Sequence, residues 1–385
     1  MANDLSTLTP EIRAQILPVL REACVMPSKV NNSYSADAAA RGSTIEIEDL
    51  EDMSAFDITP GDAPASNIKS DIDSTPTPLV LNKFKAVTFD LTDKEIYEIQ
   101  NGTRSRAIEK AVKALAKQVN ADIFDSAYKG FYNHVGTPGT TPFASSTAVA
   151  QSARKFLKQN EADMDELCIV LDVDAYANAL GLDALQRADA LGSDEVVRQA
   201  RITRAVGFEW LEDQQVPTHT STATGTYAID AVATAGATSL VLDDDSGSKP
   251  TLPAVGDIFN IAGDDTNYVV ISVTDESPTA NEVTVEISPA LAADVADGDN
   301  VTFVTTAAQA SVQNLAFEMS AIGFASRPML DLETPGSLIS TLSDPISGLS
   351  MRFEIQRLWK KTVMSVDMLY GIRVVRPQLG VRVLG

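Results

Sequence analysis

Between Thr222 and Thr305 the sequence differs in kind from the sequence on either side, and no other feature constrains the fold as strongly. Six short runs follow one another there: TYAIDAV, TSLVLDD, DIFNIAG, NYVVISVTD, EVTVEISPAL and NVTFVTT. They recur at intervals of roughly ten to twelve residues, separated by AGAT, PAVGD, AGDD and ADGD. Alternation of apolar and polar residues places one side of each run in a core, and the Gly and Asp residues let the chain reverse. Helical periodicity is absent and basic residues are scarce. Many short strands at this spacing predict a small barrel or sandwich. Because the flanking style returns afterwards, 222–305 is expected to be a β-domain inserted into another domain. THTSTATGT forms its doorway, where small polar residues suit a hinge and His219 has no special part.

The flanking sequence mixes helix and strand signals. Residues 9–24, TPEIRAQILPVLREAC, open with Thr9 as a cap and Pro10 at the first helical position, and Ile12, Ile16, Val19 and Ala23 recur at helical spacing. This N-terminal arm (1–42) packs on a neighbour or serves as an ordinary first helix; both readings stand. TIEIEDL and LVLNKFKAVTFDL alternate as strands, and the acidic span between them holds Pro60, Pro64, Pro76 and Pro78. An extended two-stranded arm over 43–92 with a long acidic tip is expected.

A long helix is predicted over 104–129, in SRAIEKAVKALAKQVNADIFDSAYKG, where Ile108, Val112, Leu115, Val119 and Ile123 recur every three or four residues. Arg104, Arg106, Lys110, Lys113 and Lys117 make its polar face basic. A solvated face is the simpler reading; a contact with the acidic arm (Glu46, Glu48, Asp57, Asp71, Asp73) of a neighbouring subunit is the sharper one. Further helices are expected over 147–165 and 183–201. LCIVLDVDAYANAL reads as a buried strand leading into a turn, AVGFEWLEDQQVP as an approach to a sheet edge, and the chain ends in strand-like sequence.

The formal net charge of −23 disfavours tight binding to nucleic acid or to an anionic membrane, since phosphate neutralisation needs a basic face. With 44% hydrophobic and 22% charged residues the chain has the makings of folded cores. The N-terminus lacks the basic start and apolar run of a signal peptide, so the chain is expected to be cytosolic when made. No apolar stretch approaches the ~20 residues of a membrane span. Cys24 and Cys168 sit among apolar neighbours and are expected to be reduced structural thiols.

The two histidines, His134 and His219, lie in Thr-, Pro- and Gly-rich sequence taken as loops, without ligands at metal spacing or a nucleophile alongside. LDDDSGS fails as a calcium loop: with Gly247 at position six, position one is Leu242. Asp264 and Asp265 read as a polar turn. No catalytic, cofactor or metal site is assigned, and the chain is not expected to be an enzyme.

The order of elements resembles the major capsid (coat) proteins of tailed bacteriophages, with the Hong Kong 97-like fold. More narrowly, it resembles the Salmonella short-tailed-phage type, which carries an inserted β-domain. SRAIEKAVKALAKQVNADIF, QARITRAVGFEWLEDQQVPTHTSTAT, GDIFNIAG and LYGIRVVRPQLGVRVL carry the resemblance. It implies an α+β fold with an N-arm (1–42), an extended β-loop (43–92) and a peripheral domain with its spine helix (93–146). An axial domain would follow in two parts (147–221 and 306–366), interrupted by the barrel-like insert (222–305). The C-terminal strand and tail (367–385) would return to the peripheral domain. The implied function is self-assembly, as pentamers and hexamers, into an icosahedral shell. That shell would enclose double-stranded DNA without gripping it, and would be built in the host cytoplasm as part of the virion. The implied partners are further copies of the chain, a scaffolding protein, a portal and a decoration protein, with no membrane and no cofactor. Lys69 lies in the arm, but no Asn is assigned opposite it and no crosslink is expected. Two competing readings are a surface protein whose β-domain binds a receptor or carbohydrate, and an enzyme built from scattered carboxylates. Phe259, Tyr268 and Phe303 are too few, and too well placed as core, to favour the first.

Overall fold

The computed structural model of the chain describes residues 24–34, 44–50, 74–93, 102–186, 199–244, 250–275, 282–305, 309–329, 337–344 and 347–385. The expected N-terminal helix, the arm's tip and most of the 183–201 helix lie outside them.

Strands β1 (Thr44–Leu50) and β2 (Ser74–Val80) form an antiparallel ribbon. Pro76 and Pro78, expected in the loop, instead lie within β2 opposite Glu48 and Glu46. Each strand of a two-stranded ribbon has one free edge, so a residue without N–H is tolerated where that group would face outward. Strand β3 (Lys83–Thr92) follows, and then helix α1 (Gly102–Gly130). At 29 residues α1 is about 43 Å long. Ile108, Val112, Leu115, Val119 and Ile123 are buried as expected, and Ala111, Ala116, Phe124 and Ala127 widen the apolar stripe.

Next come β4 (Asn133–Gly136), α2 (Ala148–Gln159), β5 (Leu167–Leu171), α3 (Val173–Leu180) and α4 (Asp183–Gln186). The predicted turn after LCIVL is therefore helix α3. Asp172 caps it by accepting from the Asp174 N–H, so the local hydrogen bond starts a helix where apolar alternation stops. Strands β6 (Arg204–Ala205), β7 (Phe208–Glu212) and β8 (Thr218–Thr220) lead to the segment of changed sequence.

That segment forms β9 (Tyr227–Ile229), β10 (Ser239–Asp243), β11 (Ile258–Ile261), β12 (Asn267–Thr274), β13 (Val283–Ser288) and β14 (Asn300–Phe303). The six strands close into an antiparallel barrel in the order β10-β13-β12-β11-β14-β9. Its core is separate from the main one and includes Tyr227, Ile229, Leu240, Leu242, Phe259 and Tyr268. Closure leaves the barrel no open edge, which suits a small domain with strands this short.

The chain then continues through β15 (Ala310–Glu318), β16 (Ile322–Arg327), β17 (Ser337–Ser343), β18 (Ser350–Leu358), β19 (Lys361–Val374) and β20 (Gly380–Leu384). β8, which leads to the barrel, and β15, which follows it, pair directly, His219 opposite Ser311. The excursion therefore begins and ends at one place. The main sheet runs β4-β20-β15-β5-β7-β6, with β8 beside β15. Most pairs are antiparallel, but β5–β7 and β4–β20 are parallel. β5 and β20 are buried at every residue, β5 as a continuous apolar run and β20 with Arg382 inside it. A second sheet, β16-β19-β18-β17 with β3 along β19, lies against α1. Helix and sheet are thus mixed, with strands prevailing.

Candidate functional site

The predicted contact residues fall on two elements. In β1, Ile45 and Ile47 are buried while Glu46 and Glu48 point to solvent, as strand alternation requires. On α1, Lys110, Lys113 and Lys117 are exposed along one face. Arg104 and Arg106 belong to the first turns of α1, but their side chains are outside the described residues, as are Asp57, Asp71 and Asp73. Within the chain, among the described residues, no ion pair joins Glu46 or Glu48 to these lysines. Both charged faces are left to solvent or to another molecule.

The doorway is not the hinge expected from its small residues. His219 and Ser221, on and just after β8, are 5% and 1% exposed, and both bond to the carboxylate of Asp257 at the foot of β11. His219 Nε2 lies 2.8 Å from Oδ1, Ser221 Oγ donates to Oδ2 at 3.0 Å, and the Ala254 N–H donates at 2.8 Å. Both histidines therefore sit in strands, β8 and β4, because long-range pairing overrides the local turn chemistry of their neighbours. Ser, His and Asp meet here, yet no catalytic relay results. Ser221 is bonded to the carboxylate rather than to the imidazole, and all three groups are buried.

Arg382 of β20 extends this junction. It is 1% exposed, donates from Nε to Gln313 Oε1 at 2.8 Å and from Nη1 to the Gly256 carbonyl at 2.7 Å. Its guanidinium lies 5.5 Å from the centre of the Tyr128 ring, and that ring is 5.6 Å from His219. Burial pulls Arg382 down to about 10, still protonated at neutral pH, while burial pushes the Tyr128 hydroxyl up. Gly256, at φ +97°, is required on two counts: its backbone is left-handed, and a Cβ would stand 2.9 Å from the Tyr128 ring. Helix α1, the main sheet and the barrel are thus joined through one buried polar cluster. Sequence reasoning missed Tyr128, Asp257 and Arg382. The available signal was Arg382 itself, a charge inside the apolar run of β20, which implies burial with partners.

His134 faces Arg382 across the β4–β20 pair. Burial, and then the nearby Arg382 charge, push its imidazole down to about 4. Cys24 and Cys168 are free and buried, and burial raises both thiols, Cys24 to about 12. Among the described residues no cluster of His, Cys, Asp or Glu is arranged to hold a metal, and no helix is long and apolar enough to cross a membrane. Phe259 and Tyr268 are fully buried in the barrel and Phe303 packs against them, so they offer no aromatic platform to a carbohydrate. At the β18–β19 hairpin, Trp359 is 84% exposed beneath Lys360, between the ion pairs Arg357–Asp93 and Lys361–Asp90.

No family model matches the sequence, and no curated protein does. Among solved structures, a chain from Mycobacterium phage Che8 superposes with a TM-score of 0.51 at 16% identity, over 94% of this chain and 90% of that one. The chain shares its fold with a phage protein. A chain of the capsid of cyanophage P-SCSP1u gives a TM-score of 0.49 at 12% identity, covering 92% of this chain and 86% of that one. For the capsid of cyanophage Pam1 the TM-score is 0.47 at 8% identity, with 92% and 88% covered.

Proposed function

We propose that the chain is the major capsid protein of a tailed phage, a Hong Kong 97-like subunit that assembles into an icosahedral shell around double-stranded DNA. The observation that carries this reading is the likeness to a phage fold along almost the whole chain, 94% of it, rather than over one domain. In this reading 1–42 is the N-terminal arm, the ribbon within 43–92 is the extended loop, and α1 is the spine helix of a peripheral domain over 93–146. Residues 147–221 and 306–366 form the axial domain around local five- and sixfold axes, 367–385 supply the closing strand and tail, and 222–305 is an inserted domain on the outer surface.

The partners are other copies of the chain, in pentamers and hexamers, with a scaffolding protein, a portal and a decoration protein. Contact between subunits is assigned to Glu46, Glu48, Asp57, Asp71 and Asp73 of the arm, lying on Arg104, Arg106, Lys110, Lys113 and Lys117 of a neighbour. The role is structural rather than enzymatic. A net charge of −23 is compatible with enclosing DNA without gripping it. Sedimentation and negative-stain microscopy, with and without a scaffold-like partner, test the reading. Closed particles are expected; a monomer of 41.1 kDa under both conditions would overturn it.

A further inference from the structure

The ribbon leaves the body of the subunit at one glycine. β3 runs along β19 from Thr92 opposite Lys361 to Lys83 opposite Tyr370. The next residue of β19 is Gly371, and there the chain preceding β3 crosses over the strand. A Cβ at Gly371 would collide with the Val80 carbonyl oxygen and would stand 2.9 Å from its carbon and 3.1 Å from Leu81 Cα. All three are backbone atoms, so no side-chain rotation relieves the clash. The Val80 oxygen is also held by its own bend, accepting from the Asn82 N–H at 3.0 Å. Gly371 has an ordinary backbone conformation; the close approach is what requires glycine there.

Beyond the crossing, the ribbon root rests on a small core of its own. Ile45, Ile47, Leu79 and Leu81 pack on Ala325, flanked by Tyr34, Leu369 and Val375, apart from the main core. Gly323 lies under the same root, but a Cβ there would meet only side chains, Val375 at 3.1 Å, Ile47 at 3.2 Å and Tyr34 at 3.4 Å. The two supports differ in stiffness: side-chain tips give by tenths of an ångström, whereas a backbone crossing moves only as a whole.

We propose that Gly371 is a positioning residue, the pivot whose missing side chain sets the angle at which the β1–β2 ribbon leaves the subunit. Restoring ordinary contact over a methyl group requires the crossing to lift by about 1 Å. Over strands about 20 Å long, that lift becomes a few ångströms at the ribbon's far end. The consequence for a shell, that Gly371 sets how far the arm reaches over a neighbour, rests on the capsid reading; the angle itself does not.

The angle is measurable in the unassembled subunit by pulsed electron-spin spectroscopy, with labels on Glu48→Cys and Lys117→Cys. Both positions are exposed, while the native thiols are buried at 4% and 3% exposure and stay unlabelled. The otherwise unaltered subunit should give one narrow distance distribution; a broad or multiple one would overturn the pivot. Gly371→Ala should shift the mean by about 3 Å or more, and Gly323→Ala should leave it within about 1 Å. An unshifted Gly371→Ala would overturn the proposal. Leu79→Ala loosens the root while keeping the crossing, so it should widen the distribution about an unchanged mean. A moved mean in that variant would show that the side-chain cluster sets the angle, and it decides the matter even if Gly371→Ala does not fold. Under assembly conditions Gly371→Ala should give open or differently sized particles. A shifted angle with shells of unchanged size would overturn the role in reach. If the parent chain forms no shells, the capsid reading falls and the pivot stands on the distances alone.

Discussion

The barrel is fastened to the main sheet and the ribbon to the second sheet, and they are fastened by opposite means. The barrel is held through a largely buried polar cluster in which His219, Ser221 and Ala254 converge on Asp257, while Arg382 grips the Gly256 carbonyl. The ribbon is held by a handful of apolar side chains and one backbone crossing at Gly371. Hydrogen bonds are directional, and a buried donor or acceptor left unpaired is costly, so the barrel junction has one well-defined geometry. Apolar contacts are not directional, and a small cluster bordering a free arm opens at low cost. A weld and a pivot are the result.

The largest effect is expected at the weld. Asp257→Ala removes the carboxylate shared by the buried His219 and Ser221 and the half-buried Ala254 N–H, and should cost about 3–5 kcal/mol in denaturant unfolding. A loss below about 1 kcal/mol would erase the contrast with the ribbon. Leu79→Ala should cost about 2 kcal/mol, felt locally: ribbon amides should exchange faster while the barrel and α1 keep their protection. Uniformly faster exchange would mean that the root belongs to the main cooperative unit.

A third test bears on the weld's electrostatics. His134 titrates near 6.5 in an unfolded chain but near 4 when folded. The unfolded chain therefore takes up the proton first. The stability gained by keeping His134 neutral is full above about 6.5 and is lost as the pH falls toward 4. The loss is on the order of 1–3 kcal/mol across that window, and His134→Gln should flatten the wild-type slope there. Identical slopes in the two proteins would remove His134 from the account. The smallest effect on the fold is expected from Lys110→Glu with Lys113→Glu, within about 0.5 kcal/mol because both side chains are exposed. On the proposed shell, the same pair should impair particle formation, since a contact worth about 0–1 kcal/mol would recur at every interface. Normal particles from that variant would leave the basic face merely solvated.

What could be read from the sequence is what is written locally. The five apolar positions of α1 repeat within each turn of one helix, and the six barrel strands announce themselves by alternation and by the turns between them. The helix after Asp172 was missed because a short capped helix and a turn begin with the same residues. Pro76 and Pro78 were misplaced because proline in a strand is acceptable only at a free edge, and edges are a property of the sheet.

By itself, the sequence determined the periodicity of the elements, the departure and return around the barrel, and the alternation that turns Glu46 and Glu48 away from Ile45 and Ile47. Only the tertiary structure decided which residues meet. His219 finds Asp257 38 positions away, and Arg382 finds Gly256 across 126. Nothing local marks either pair, because contact over such separations depends on how whole sheets and the barrel come together, and a polar side chain looks the same in a sequence whether it will face water or a buried partner.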